Sequence, residues 1–122
     1  MSFKKVNLKE KLALFSEYWS PRIVGELNGQ FVKLVKAKGT FDWHKHDEED
    51  ELFYVVKGSF KIELEDETVH VNEGELIIIP KGKMHRPVAE EEVQLMLFEP
   101  VSTLNTGDNP NSSFTSENPD WI

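Results

Sequence analysis

The rhythm of apolar and polar residues changes near position 20. Over residues 7–19 the apolar positions Leu8, Leu12, Phe15 and Trp19 recur at helical spacing, which sets them on one face of an α-helix. Asn7 offers a side-chain oxygen to cap the first turn. Pro21 stands just past the far end, where it cannot continue a helix. The spacing predicts an N-terminal helix over 7–19, with its apolar stripe docked on a core.

From residue 22 onward the period is two. Alternation predicts strands over 22–27, 31–38, 41–46, 52–56, 60–64, 69–71, 75–79 and 93–98. Asn28-Gly29 readily takes the positive φ angles of a tight hairpin turn. Gly39, Lys57-Gly58, Glu65-Asp66-Glu67, Asn72-Glu73-Gly74 and Pro80-Lys81-Gly82 separate the later strands. Many short strands with no helices between them imply an all-β, antiparallel sandwich or barrel. Beyond Pro100 the composition turns to Asn, Ser, Thr, Pro, Gly and Asp. Asn109-Pro110 and Asn118-Pro119 break regular structure there. Residues 101–122 are expected to form an extended arm, with Trp121-Ile122 packing back on the barrel or on a neighbouring subunit. The 122 residues suit one domain, 1–122, with the barrel over 22–100.

Composition narrows the function classes. The chain has no cysteine, which removes disulfides, thiolate metal sites and cysteine nucleophiles and fits a reducing compartment. Its net charge of −8 repels phosphate backbones and argues against nucleic-acid binding. No run of apolar residues is long enough to span a membrane, and Met1-Ser2-Phe3-Lys4-Lys5 leads into a charged stretch and not an apolar signal core. A cytoplasmic protein with neither nucleic-acid nor membrane partners is expected.

The candidate chemistry lies in Gly39-Thr40-Phe41-Asp42-Trp43-His44-Lys45-His46. On a strand, residues two apart point to one side, so His44 and His46 can grip one ion. By the same parity Phe41 and Trp43 would share the opposite face, as packing residues. Glu51 follows at the start of the next strand pattern and shares parity with Phe53 and Val55. Glu48, Glu49 and Asp50 surround it and could in principle replace it, but read better as a solvated loop at the barrel mouth. Gly74, Pro80 and Gly82 then lead to a third histidine, His85. The fourth, His70, shares a face with Thr68 and Asn72 and is expected to be solvated. Gln94, Met96 and Phe98 are assigned to the cavity, although Val93, Leu95 and Leu97 form an equally apolar parity. Arg86, beside His85, could meet a substrate anion, but a lone arginine at a strand end is more often solvated.

These two runs resemble the cupin superfamily. Its first motif is matched by Gly39, His44, His46, Glu51 and Gly58, and its second by Gly74, Pro80, Gly82 and His85. The departures are one residue fewer between Gly39 and His44, and Ala89 at the usual asparagine position. The resemblance covers roughly residues 31–100 and implies an antiparallel jelly-roll barrel. Carried over residue by residue, it makes His44, His46, Glu51 and His85 the ligands of one divalent metal ion. Three neutral imidazoles and a carboxylate suit Fe, Mn, Zn, Ni or Cu and not hard Ca²⁺.

Cupins serve as dioxygenases, isomerases, decarboxylases and non-catalytic binders, so the family leaves function open. The reading adopted is a metal-dependent enzyme of dioxygenase or isomerase type acting on a small polar molecule. The alternative is a non-catalytic module that binds a small molecule or the metal. Family resemblance, an open sheet edge and exposed aromatic residues also imply a homodimer.

Overall fold

The computed structural model describes residues 3–122. Helix α1 spans Leu8–Leu12, and Asn7 caps it by accepting a hydrogen bond from the Glu10 amide. The helix predicted over 7–19 therefore ends after little more than one turn. An isolated helix this short is marginal in water, and the chain beyond it finds strand partners instead. Tyr18 bridges to Lys36, and the Trp19 amide donates to the Lys36 carbonyl at 2.8 Å. The apolar stripe keeps its docking role: Leu12 and Phe15 are buried against Val24 and Leu34.

Among the described residues eight strands follow: β1 Arg22–Leu27, β2 Gln30–Thr40, β3 Glu51–Lys57, β4 Ser59–Leu64, β5 Thr68–Asn72, β6 Leu76–Ile79, β7 His85–Pro100 and β8 Asp120–Trp121. The sheet runs β5-β4-β7-β2-β1-β8, and β3 pairs with both β6 and β7. All pairings between these strands are antiparallel except β1 with β8.

The long strand β7 organises the molecule. Its first half pairs with β4, Pro87 opposite Ile62, and its second half pairs with β3, Leu97 opposite Phe53. Strand β2 runs along nearly its whole length. The exposed residues Glu90, Glu91 and Glu92 lie between the two halves. The inward residues of both halves meet in one core: Val35 and Ala37 of β2, Phe53 and Val55 of β3, Phe60 and Ile62 of β4, and Val93, Leu95 and Leu97 of β7. Val55, Ile62 and Val93 are fully buried, and each such side chain contributes roughly 1.5–3 kcal/mol through burial. The result is a jelly-roll β fold whose hydrogen-bonded sheet is not closed.

Two predicted strands change. Residues 41–46 are not a strand; only His44 pairs, through an isolated bridge to His85. The predicted strand 93–98 is the second half of β7, because alternating burial runs unbroken from His85 through Pro87 to Ala89 and resumes at Val93. The arm beyond Pro100 turns back over one end of the fold. Its end adds β8 beside β1, with Trp121 edge-on to Phe31 at 5.9 Å between ring centroids.

Candidate metal centre

His44, His46, Glu51 and His85 come together. One donor atom from each lies within 4.8 Å of every other, and all four residues are buried. Glu51 opens β3 and His85 opens β7, while His44 and His46 lie on the loop between β2 and β3. That loop is held from both sides. His44 and His85 exchange backbone hydrogen bonds, and the Gly82 amide donates to the His46 carbonyl at 2.7 Å.

The imidazoles are oriented by their backbone neighbours. His44 Nδ1 lies 2.9 Å from the Asp42 carbonyl oxygen, and His85 Nδ1 lies 2.8 Å from that of Lys83. A carbonyl can only accept, so both Nδ1 atoms carry the proton and both Nε2 atoms keep a free lone pair. Glu51 Oε1 sits 3.4 Å from His46 Nε2 and 3.6 Å from His85 Nε2. His46 Nε2, Glu51 Oε1 and His85 Nε2 are buried with no hydrogen-bond partner among the described residues. Buried polar atoms normally find partners, so unpartnered, converging donors fit a divalent transition metal ion held by three nitrogens and an oxygen.

Burial pushes the His44 imidazole down to about 4, and His85 beside it adds to the effect. Burial also pulls His46 downward, but its contact with the Glu51 carboxylate outweighs this and raises it. Burial acts to raise Glu51, yet the neighbouring Glu99 carboxyl and the His46 and His85 imidazoles hold it well below the usual carboxylate range. Glu99 goes the other way, pushed well up by burial and by the neighbouring Glu51 charge. Lys33 Nζ donates to Glu99 Oε1 at 2.9 Å, and both side chains are buried.

A cavity of about 40 Å³ adjoins the cluster. His44, Glu51 and Asn105 are the polar groups lining it, and its walls include Phe41, Phe53, Leu95 and Leu97. The C-terminal arm closes one side: Phe114 stacks on Phe41 at 5.0 Å, and Asn105 is fixed by hydrogen bonds to the backbone of Phe114 and Ser116. On the outer side, a groove of about 230 Å³ reaches His46 between Asp47, Glu48 and Asp108.

Several assignments from the sequence are corrected by these positions. Phe41 does not face away from the histidines; its ring lies edge-on to His44 at 5.2 Å. Strand parity fails there because residues 41–46 are not a strand. Trp43 is outside, with the Arg86 guanidinium 4.9 Å from its ring. Arg86 is also bound to Glu63 at 2.6 Å and does not line the cavity. On β7 the inward parity is Val93, Leu95 and Leu97, and not Gln94, Met96 and Phe98. His70 is exposed as expected. The acidic loop turns to other partners: Glu49 accepts from Ser102 and Asp50 from the Lys81 amide.

Lys33 and Glu99 escaped the sequence reading. Both end apolar runs of inward parity, Lys33 before Val35 and Ala37, and Glu99 after Leu95 and Leu97. A charged residue in such a register was the available signal.

Residues 31–101 match the cupin domain family, Cupin_2. The chain belongs to the cupin family. A solved cupin-2 domain protein from Shewanella frigidimarina is 42% identical, with a TM-score of 0.77, over 78% of this chain and 93% of that one. The uncharacterized protein YdbB of Bacillus subtilis is 39% identical over 65% of each chain. The pectin degradation protein KdgF of Dickeya dadantii is 36% identical over 50% of this cupin and 56% of its own length. The matched stretches span about half to two-thirds of these curated relatives.

Proposed function

We propose that this cupin is a metal-dependent enzyme, of dioxygenase or isomerase type, acting on a small molecule. His44, His46, Glu51 and His85 would hold one Fe, Mn, Zn, Ni or Cu ion. The observation that carries this reading is the set of buried, unpartnered donor atoms converging beside a cavity. A bound ion supplies Lewis-acid polarisation of a substrate oxygen, or redox chemistry if it is iron. The protein's own part is to keep two imidazole lone pairs aimed inward, through Asp42 and Lys83, and to keep water scarce around the reacting group.

The cavity refines the substrate class. Its polar groups lie at the metal end and at Asn105, and no lysine or arginine lines it. The lining supplies no cation to hold a phosphate group, which counts against a sugar phosphate as substrate. The likeness to KdgF makes products of pectin degradation a rational first comparison set.

A second reading is a non-catalytic binding module. The small cavity, covered by Phe114 and Asn105, favours it, since retention needs no rapid exchange of substrate and product. Turnover separates the two: a binder gains thermal stability from a ligand that it leaves unchanged. As a solution state we propose a cytoplasmic homodimer. Its support is strand β6, which pairs only with β3 among the described strands and exposes Leu76 and Ile78.

The test is elemental analysis of protein purified without chelator or nickel resin, beside the His44→Ala/His46→Ala variant. About one equivalent of metal in the native protein, absent from the variant, is expected. No metal in either protein, even after incubation with each ion, would overturn the reading.

A further inference from the structure

The C-terminal arm lies beyond residue 101, where the match to the cupin family ends, yet it reaches the loop that carries His44 and His46. Lys45 stands between these two histidines, and Asp108 binds it at both backbone groups. The Asp108 amide donates to the Lys45 carbonyl at 2.9 Å, and Asp108 Oδ1 accepts from the Lys45 amide at 3.0 Å. Gly107 passes so close to this peptide that an added Cβ would lie 2.1 Å from the Lys45 carbonyl oxygen. A further contact joins the arm to Asp42, whose Oδ2 accepts from Ser112 Oγ at 2.5 Å. The Asp42 carbonyl is the group that holds the His44 ring.

His46 depends on such support more than the other two histidines do. The rings of His44 and His85 are each fixed by a backbone carbonyl. Both ring nitrogens of His46, by contrast, are buried with no hydrogen-bond partner among the described residues. Residues 45–50 are not a strand, so no ladder of hydrogen bonds fixes the backbone there. The Gly82 amide on the His46 carbonyl and Asp108 on Lys45 fix it instead. A metal site needs its donors held within about half an ångström of their working positions, and loss of the groups that support the ligands weakens metal binding. A carboxylate accepting from a backbone amide is among the stronger hydrogen bonds available for this purpose. We infer that Asp108 is a positioning residue of the metal centre: the arm clamps the peptide between His44 and His46 and so sets where both imidazoles stand. The inference rests on the metal-site reading above.

The test uses the full chain, with the Zn²⁺ dissociation constant measured by chelator competition and the visible spectrum of the Co²⁺-loaded protein. Asp108 is exposed, so its substitution leaves the core intact. Asp108→Ala removes the acceptor for the Lys45 amide and should weaken Zn²⁺ binding about 10- to 100-fold, with a shifted Co²⁺ spectrum. Asp108→Asn removes the charge but keeps the acceptor, so its affinity and spectrum should stay within about threefold of native behaviour. Native affinity and spectrum in Asp108→Ala would overturn the positioning role. Equal losses in the two variants would overturn it too, because the carboxylate's charge near the ion would then account for the effect. Coupling between two binding events is reciprocal, so a clamp that tightens metal binding about tenfold is itself tightened about tenfold by the metal. Saturating Zn²⁺ should therefore slow hydrogen exchange at the Asp108 amide of the native protein by about tenfold or more. Unchanged exchange overturns the clamp, whatever the variants do. A native protein that binds neither ion overturns the metal site and the clamp with it, a result distinct from lost coupling in a protein that does bind.

Discussion

His44 and His85 face each other across an isolated antiparallel bridge, each amide donating to the other's carbonyl, at 3.0 and 2.9 Å. Their rings stand 4.4 Å apart between centroids. The bridge ties the first histidine segment to the start of β7, so the donors converge through backbone pairing. A site built this way favours the folded state whenever metal binds it. With free Zn²⁺ at a hundred times its dissociation constant, stability should rise by about 2.7 kcal/mol. Thermal unfolding with and without chelator checks this, and His85→Ala should erase the difference between the two curves.

Acid should destabilise the metal-free protein partly through His44. Its folded pKa is depressed from 6.5 to about 4 by burial and by His85. The unfolded chain therefore binds the extra proton between those values, and stability from this group is present in full above about pH 6.5 and lost as pH falls toward 4. The raised groups His46 and Glu99 act in the opposite sense, losing stability as pH rises. Comparison with His44→Asn isolates the His44 part. Native stability should fall relative to the variant by up to about 1.4 kcal/mol per pH unit in that window. Urea unfolding at several pH values measures it, and parallel profiles would refute it.

Glu99→Leu alone leaves Lys33 buried without its partner. Removing one member of a buried pair typically costs about 3–5 kcal/mol. Adding Lys33→Met should restore most of that loss. A double-mutant cycle by chemical denaturation gives the coupling directly, and additive losses would show that the two side chains do not depend on each other.

Gly107 holds the C-terminal arm against the site. Its φ is +53°, and a Cβ there would lie 2.1 Å from the Lys45 carbonyl oxygen and 3.2 Å from His44 Cδ2. The neighbouring Asp108 binds Lys45 through both its amide and its side chain. Gly107→Ala should cost about 1–3 kcal/mol and loosen the arm over the cavity. Faster proteolysis between residues 101 and 122, with the barrel left intact, is the expected readout. Unchanged cleavage would mean that the arm is held elsewhere.

The strands that lie on one face of the core were legible in the sequence, because a half-buried strand must alternate. Phe53 and Val55 on β3, or Phe60 and Ile62 on β4, show their inward side without any structure. So were His44, His46, Glu51 and His85, whose spacing relative to the turn glycines carries the resemblance to the family. The helix was legible only in its cap and its docking stripe. Its length depended on the offer of backbone partners from Lys36, and periodicity does not register that competition.

What only the tertiary structure decided lies where two distant segments meet. The inward parity of β7 could not be chosen between two equally apolar sets until β2, β3 and β4 were packed against it. Phe41 turned inward because the chain from 41 to 46 is shaped by pairing with His85 and Pro87 and not by strand geometry. Lys33 and Glu99 are far apart in the chain, and their contact depends on β2 and β7 lying side by side in one register. Spacing within a segment sets which side chains share a face; only the pairing of strands sets what that face meets.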